Sequence, residues 1–314
     1  MRGVSPLKFR SPNVSVFVPD GVSDEEAIQR ATHIAVGAHQ DDLEIMAFHG
    51  ILHCFASRAD WFLGITVTDG AGSPRVDHYA DYTDEQMKEV RKREQDKAAV
   101  VGEYSAMVQL GYSSGATKSA EPPDVVADLK EMIRLARPRV IYTHNLADKH
   151  DTHVAVALRL IRALRELPPE CHPEEFYGSE VWRNLDWVAD EDKIALDVAP
   201  HENLASALLG LFDSQISGGK RYDLATMGRR RANATYYASH GVDETTALCF
   251  AMDLMPLIED PALTPDAHAQ QHIRTFAAEV SNRIAKLEAP TAPSAPPEPH
   301  RRPWKKPLVR TKHR

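Results

Sequence analysis

Two short polar clusters, Ala38-His39-Gln40-Asp41-Asp42 and His150-Asp151-Thr152-His153, hold the side chains best suited to chemistry in this chain. Each offers His and Asp at spacings of one to three residues, and each follows closely on a short apolar run of strand character: His33-Ile34-Ala35-Val36-Gly37 before the first, Val140-Ile141-Tyr142-Thr143 before the second. A catalytic zinc takes three protein ligands from His and carboxylate, keeps a fourth position for water, and lowers the pKa of that water to about 7. His39, Asp42 and His153 fit that need. Asp41, between the two nearer ligands, is placed to take a proton without occupying the metal. His150, three residues before His153, is placed to face a substrate oxygen and stabilise negative charge developing there, or to protonate a leaving group.

These side chains need a frame that brings distant loops together. Strand-like and helix-like segments alternate along the chain, which predicts a Rossmann-like three-layer αβα sandwich with a mostly parallel sheet. In such a sheet the loops at the carboxyl ends of the strands line one crevice, so the two clusters can meet there. Expected strands cover 33–37, 61–68, 106–110, 139–143, 177–182 and 194–198. Expected helices cover 43–57, 84–104, 124–136, 154–167, 202–212, 224–238 and 266–287, with Ser23-Asp24-Glu25-Glu26 as a capping-box start for a short earlier one.

The stretch Gly37-Ala38-His39-Gln40-Asp41-Asp42-Leu43-Glu44-Ile45 resembles the AHPDD signature of the PIG-L or LmbE-like deacetylases, zinc hydrolases that remove an acyl group from an amino-sugar nitrogen. Thr68-Asp69-Gly70-Ala71-Gly72 is similar to that family's TxG-type segment, and Arg91 with Glu94 to its RxxE helix. Asp148-Lys149-His150-Asp151-Thr152-His153 resembles its DxHPDH element, and Phe212-Asp213-Ser214-Gln215 its SQ-containing helix. The resemblance implies zinc on His39, Asp42 and His153, Asp41 as general base and His150 as electrostatic partner, the roles the spacing also assigns. It further implies hydrolysis of an N-acetyl amide on an amino sugar or glycoconjugate. Two positions depart from the pattern. Gln40 replaces a proline, which removes a rigid φ and is expected to leave a polar side chain at the rim. Asp151-Thr152 replaces Pro-Asp, so Asp148 or Asp151 must orient the second motif.

Three further residues are substrate-binding candidates: Asp69 in its Gly-rich loop, Arg91 on the charged helix, and Lys220 after Gly218-Gly219, a loop that lacks the earlier glycine and the Ser/Thr of a phosphate-binding loop. Arg91 and Glu94 also suit a structural ion pair on one helix face, and Arg229-Arg230-Arg231 a solvated helix face. His49 and His53, on the helix after the first motif, are expected to be packing residues. Two other function classes share some features. A 2-His-1-carboxylate iron oxygenase would use His39, Asp41 and His153, but such sites sit on β-barrels rather than beside long helices. A non-catalytic sugar-binding module would have no use for the base.

The 314 residues, 43% hydrophobic, suffice for one large α/β domain, expected over 31–288 after an N-terminal extension at 1–30. From 289 to 314 the composition turns Pro-rich and then basic, which predicts a disordered tail. The net charge of −8 argues against nucleic acid as a partner. Cys54, Cys171 and Cys249 lack metal-type spacing and suit a reducing cytoplasm. No apolar run approaches the ~20 residues of a membrane span, and the N-terminus lacks the apolar core of a signal peptide. Homo-oligomerisation stays open.

Overall fold

The computed structural model describes residues 7–119, 123–238 and 240–288; the tail expected at 289–314 lies outside them. Its strands are β1 (Ser15–Phe17), β2 (His33–Gly37), β3 (Phe62–Thr68), β4 (Ala106–Tyr112), β5 (Val140–His144), β6 (Glu175–Ser179), β7 (Lys193–Asp197) and β8 (Leu248–Asp253). The α-helices are α1 (Asp24–Gln29), α2 (Asp42–Met46), α3 (Phe48–Cys54), α4 (Asp84–Val101), α5 (Ser114–Lys118), α6 (Pro123–Ala136), α7 (Asp151–Arg165), α8 (Glu202–Gly210), α9 (Asp213–Ile216), α10 (Tyr222–Tyr236), α11 (Pro256–Glu259) and α12 (Pro265–Glu288).

The strands form one eight-stranded sheet in the order β1-β4-β3-β2-β5-β6-β8-β7. The five strands from β4 to β6 run parallel, while β1, β8 and β7 join antiparallel at the two sides. Every residue of β2, β3 and β5 is buried, as parallel strands covered on both faces require. Side chains alternate between two apolar layers. Ile34, Val36, Leu63, Ile65, Val67 and Ile141 pack with α1, α6 and α7. Ala35, Phe62, Val140 and Tyr142 face the other way, onto α2, α3, α4 and α8. This is the three-layer αβα arrangement with a mostly parallel sheet.

The order of strands reverses direction at β2 and β5, the two that carry the polar clusters at their carboxyl ends. At such a switch point the loops on either side splay apart and leave a crevice. Within the first thirty residues, β1 pairs with β4, and Asp128 on α6 accepts the backbone N–H groups of Arg10 (2.6 Å) and Ser11 (3.1 Å).

The single helix expected over 43–57 is instead two, broken at Ala47 (φ −117°). Arg230 on α10 ends the first piece by donating to the carbonyls of Glu44 (2.8 Å) and Ile45 (3.1 Å). Its guanidinium lies over the Phe48 ring, 4.8 Å from the centroid, and the residue is 2% exposed. Arg230 is therefore a buried helix cap, not part of a solvated arginine face; a guanidinium can be buried when carbonyls and an aromatic face replace its water.

The helix α3 lies close on β5. A methyl group at Gly50 would sit 2.6 Å from Cε2 of Tyr142, whose hydroxyl is 2.8 Å from Nδ1 of His49. Gly50→Ala is expected to destabilise the protein by about 1–3 kcal/mol through overpacking, read as a lower midpoint in urea unfolding with the slope unchanged. An unchanged midpoint would show that α3 can move off the sheet without cost.

Candidate metal centre and active site

The first cluster forms where β2 ends and α2 begins. Asp41 caps α2 with φ +103°, a conformation that costs a residue with a Cβ about 1–3 kcal/mol and therefore needs outside support. Support comes from α4. Gln95 accepts the Asp41 N–H (3.3 Å) and donates to Glu44 (2.8 Å), while Arg91 donates to the Gln40 carbonyl (2.6 Å) and lies 3.9 Å from the Asp41 carboxylate. Gln40 is buried rather than at the rim: its amide donates to the Thr68 carbonyl (3.2 Å) and to Gln109 (3.1 Å), tying the loop to the ends of β3 and β4. Hydrogen bonds thus supply the rigidity that a proline ring would have given.

Arg91 and Glu94 form no ion pair among the described residues, contrary to the simplest sequence expectation. One helical turn apart, they serve different partners. Arg91 also reaches Ser73, whereas Glu94 accepts the backbone N–H (2.8 Å) and hydroxyl (2.6 Å) of Ser214 on α9. The RxxE helix is thus a strut between the His39–Asp42 loop and the Ser214-Gln215 segment.

The second cluster starts α7, with His150 at its N-cap. Across the crevice, Nδ1 of His39 and Nε2 of His153 are 3.1 Å apart. The Asp42 carboxylate completes a triangle, with one oxygen 3.4 Å from the His39 nitrogen and the other 3.4 Å from that of His153. A tetrahedral zinc with bonds of about 2.0–2.1 Å requires ligand atoms about 3.3 Å apart. The pairwise distances approach that requirement through two different Asp42 oxygens, and the overlapping groups His39-His150-His153 and Asp42-His144-His153 also stand close enough to hold a metal ion. The iron-type alternative fits less well, because Asp42, not Asp41, meets both imidazoles. His150 also neighbours this group, its ring stacked on His153 at 4.5 Å and edge-on to His39 at 4.9 Å.

The electrostatics separate the two adjacent aspartates. Burial and the neighbouring Asp42 carboxylate push Asp41 well above the ordinary range, against the pull of Arg91. Burial would raise Asp42 too, but His153, His144 and His39 together hold it well below. Such a split suits Asp41 to taking up a proton and keeps Asp42 ionised. Burial, then His153 and His39, lower His150 to about 4. Asp148 settles the question of which carboxylate faces the second motif: it lies 3.6 Å from Nδ1 of His153 and accepts the backbone N–H groups of His150 (2.9 Å) and Trp182 (3.0 Å), whereas Asp151 is exposed.

Several site residues escaped sequence reasoning. His144 ends β5, fully buried; its Nε2 accepts the Ala38 N–H (2.9 Å), sits 3.3 Å from Asp42, and its ring stacks on His153 at 3.9 Å. The cue was available, since a polar residue at the carboxyl end of a buried parallel strand belongs to the crevice. Trp182 and Tyr222 were also missed. The Trp182 ring is 6.3 Å from His150 and 5.9 Å from Tyr222, and the Lys220 ammonium stands 4.5 Å above it. Lys220 therefore lies beside the site. Asp69 instead accepts the Ala71 N–H (3.2 Å) and pairs with Lys88 (3.3 Å), with no bond to His39, Asp42 or His153 among the described residues. His49 packs as expected, on Tyr142, whereas His53 is exposed, its ring 4.7 Å from that of His33 and its Nε2 3.5 Å from Asp60.

The fold and the crevice define an α/β protein with a cluster of His and Asp side chains, able to hold a metal ion, at its topological switch point. Residues 34–164, which contain both clusters, match the PIG-L family model, described as GlcNAc-PI de-N-acetylase. No curated protein sequence matches the chain. Among solved structures it is similar to GalB, the 4-carboxy-2-hydroxymuconate hydratase from Pseudomonas putida KT2440, with 15% identity over 74% of this chain and 98% of that one, at a TM-score of 0.56. The conserved protein TT1542 from Thermus thermophilus is 18% identical over 74% of this chain and 99% of its own, at 0.53. The N,N'-diacetylchitobiose deacetylase from Pyrococcus horikoshii is 14% identical over 72% and 85%, at 0.52. These likenesses establish the fold. A hydratase and a deacetylase share it, so the reaction must be argued from the site.

Proposed function

We propose that the protein is a zinc-dependent deacetylase that hydrolyses the N-acetyl amide of an amino sugar or sugar conjugate, releasing acetate and a free amine. The observation that carries this reading is the triangle of His39, Asp42 and His153 at ligand spacing, with an uncommitted carboxylate, Asp41, next in sequence. The PIG-L match, which spans all of these residues, supports amide hydrolysis over the other chemistries the fold carries.

A zinc ion on these three side chains would lower the pKa of a water to about 7 and polarise the amide carbonyl. Asp41 takes the proton of the attacking water, a task its raised proton affinity suits. His150 faces the carbonyl oxygen and supports negative charge as the tetrahedral carbon forms. Asp41 then passes its proton to the amide nitrogen, the C–N bond breaks, and the amine leaves with acetate behind it. Arg91 and Gln95 hold the Asp41 backbone, and Asp148 sets His153. No step needs a transmembrane element, and among the described residues no helix is long and apolar enough to cross a membrane. The three thiols are free and buried, which supports a reducing compartment, the cytoplasm.

Trp182, with Lys220 at its face, offers a wall against which a sugar ring can lie. Trp182→Ala is expected to raise KM about tenfold, the worth of one aromatic contact of ~1.4 kcal/mol, while kcat stays within about twofold. A fall in kcat at constant KM would place Trp182 in the chemistry instead. The proposal as a whole is tested by incubating the purified protein with a panel of N-acetylated amino sugars and glycoconjugates and measuring free amine and acetate. Equal amounts of both support it; turnover of unsaturated hydroxy acids with no amine release would contradict it.

A further inference from the structure

The helix α12 docks on the body only through its first half. His268 bonds the Asp253 carbonyl (2.9 Å), His272 faces Asp192 (3.7 Å), and the Phe276 ring reaches Trp187 at 6.4 Å. From 276 to 288 every residue is exposed, so the second half touches no core. An isolated helix of that length is marginal in water. Of the ten large hydrophobic side chains exposed among the described residues, five lie on α12: Ile273, Phe276, Val280, Ile284 and Leu287. So dense a patch on one element marks an interaction surface.

The spacing says what kind of partner fits. Ile273, Ala277, Val280, Ile284 and Leu287 follow one another at intervals of four, three, four and three. That is the a/d repeat of a coiled-coil seam, which is matched by another helix and not by a flat sheet or a groove for an extended peptide. The seam points away from the face carrying His268 and His272, at helical angles of roughly 80–160° from the direction midway between them, so a second helix can lie along it without displacing the body. The flanking charges favour a copy of the same helix. In a parallel, in-register pair Arg283 stands at g and Glu288 at the e position that faces it from the other chain, the usual site of an interhelical ion pair. Among the described residues Arg283 pairs with the exposed Glu279 alone. The basic terminal segment of this chain fits less well, because α12 carries three acidic and three basic residues and offers it no net charge.

We infer that α12 is a dimerisation element, pairing in parallel with α12 of a second copy through Ile273, Ala277, Val280, Ile284 and Leu287. The seam is only two heptads, about 21 Å, so the pair is a reversible one of micromolar strength rather than an obligate dimer.

The test is sedimentation equilibrium of the full chain across the micromolar range. The wild type is expected to pass reversibly from monomer to dimer. Val280→Glu with Ile284→Glu, both at exposed positions, should stay monomeric to about 100 µM with an unchanged melting curve. Ile284→Cys should form a disulfide-linked dimer under mild oxidation, since an in-register pair sets position 284 against itself and the native cysteines are buried. A wild type that is monomeric throughout overturns the inference, as does a dimer that survives the double glutamate variant. A monomer whose residues 289–314 become more sensitive to protease in that variant would also overturn it, by showing that the chain's own terminal segment covers the seam.

Discussion

Replacing Asp41 by Asn should leave metal content at the wild-type level and lower kcat by roughly a hundredfold or more, since general-base catalysis typically contributes 10²–10⁴. The amide keeps the shape of the side chain and its place 3.9 Å from Arg91, so the strained cap of α2 is preserved. What it loses is the capacity to take a proton from water and return it to the leaving nitrogen. KM should change little, because Asp41 is assigned to the reacting water and not to the sugar. Elemental analysis with steady-state kinetics on one preparation checks both halves. If the variant lost its metal, Asp41 would be a ligand, and the iron-type assignment of His39, Asp41 and His153 would gain ground.

His153→Ala should have the larger consequence. It removes one of the three proposed ligands, whose nitrogens and nearest carboxylate oxygens stand 3.1–3.4 Å apart. It also frees two side chains that use His153 as a neighbour, His144 stacked on one face and His150 on the other. Metal affinity should fall well beyond the 10–100-fold that loss of an outer-shell partner such as Asp148 would cause, and activity should fall with it. Asp148→Asn, by contrast, should show the smaller loss, because it removes only a contact at 3.6 Å and leaves all three ligands in place. A His153→Ala protein that retained full metal would mean that His150 or His144 completes the centre instead.

What could be read in the sequence and what could not divides along physical lines. The parallel strands β2, β3 and β5 are continuous apolar runs, and in a mostly parallel sheet the loops at their carboxyl ends line one crevice, so the crevice could be placed before the structure. That His39, Asp42 and His153 would come together was legible because each motif stands at the carboxyl end of a parallel strand. The antiparallel strand β8 was not: Leu248–Asp253 inserts between β6 and β7, a pairing that nothing nearby in sequence announces. The break at Ala47 was hidden for the same reason, since the residue that enforces it, Arg230, arrives from α10. Arg91 and Glu94 show the converse case. Their spacing suggested a mutual bond, yet each is spent on a loop brought in by the tertiary fold.

The central claim is that His39, Asp42 and His153 hold one zinc ion that the amide hydrolysis requires. It is tested most directly by stripping the purified protein with a chelator and titrating zinc back while following acetate release from an N-acetylated amino sugar that the intact protein turns over. The account predicts no release from the stripped protein and a linear recovery that breaks at one equivalent of zinc per chain. Full activity in the stripped protein, or recovery that needs two equivalents, would contradict it.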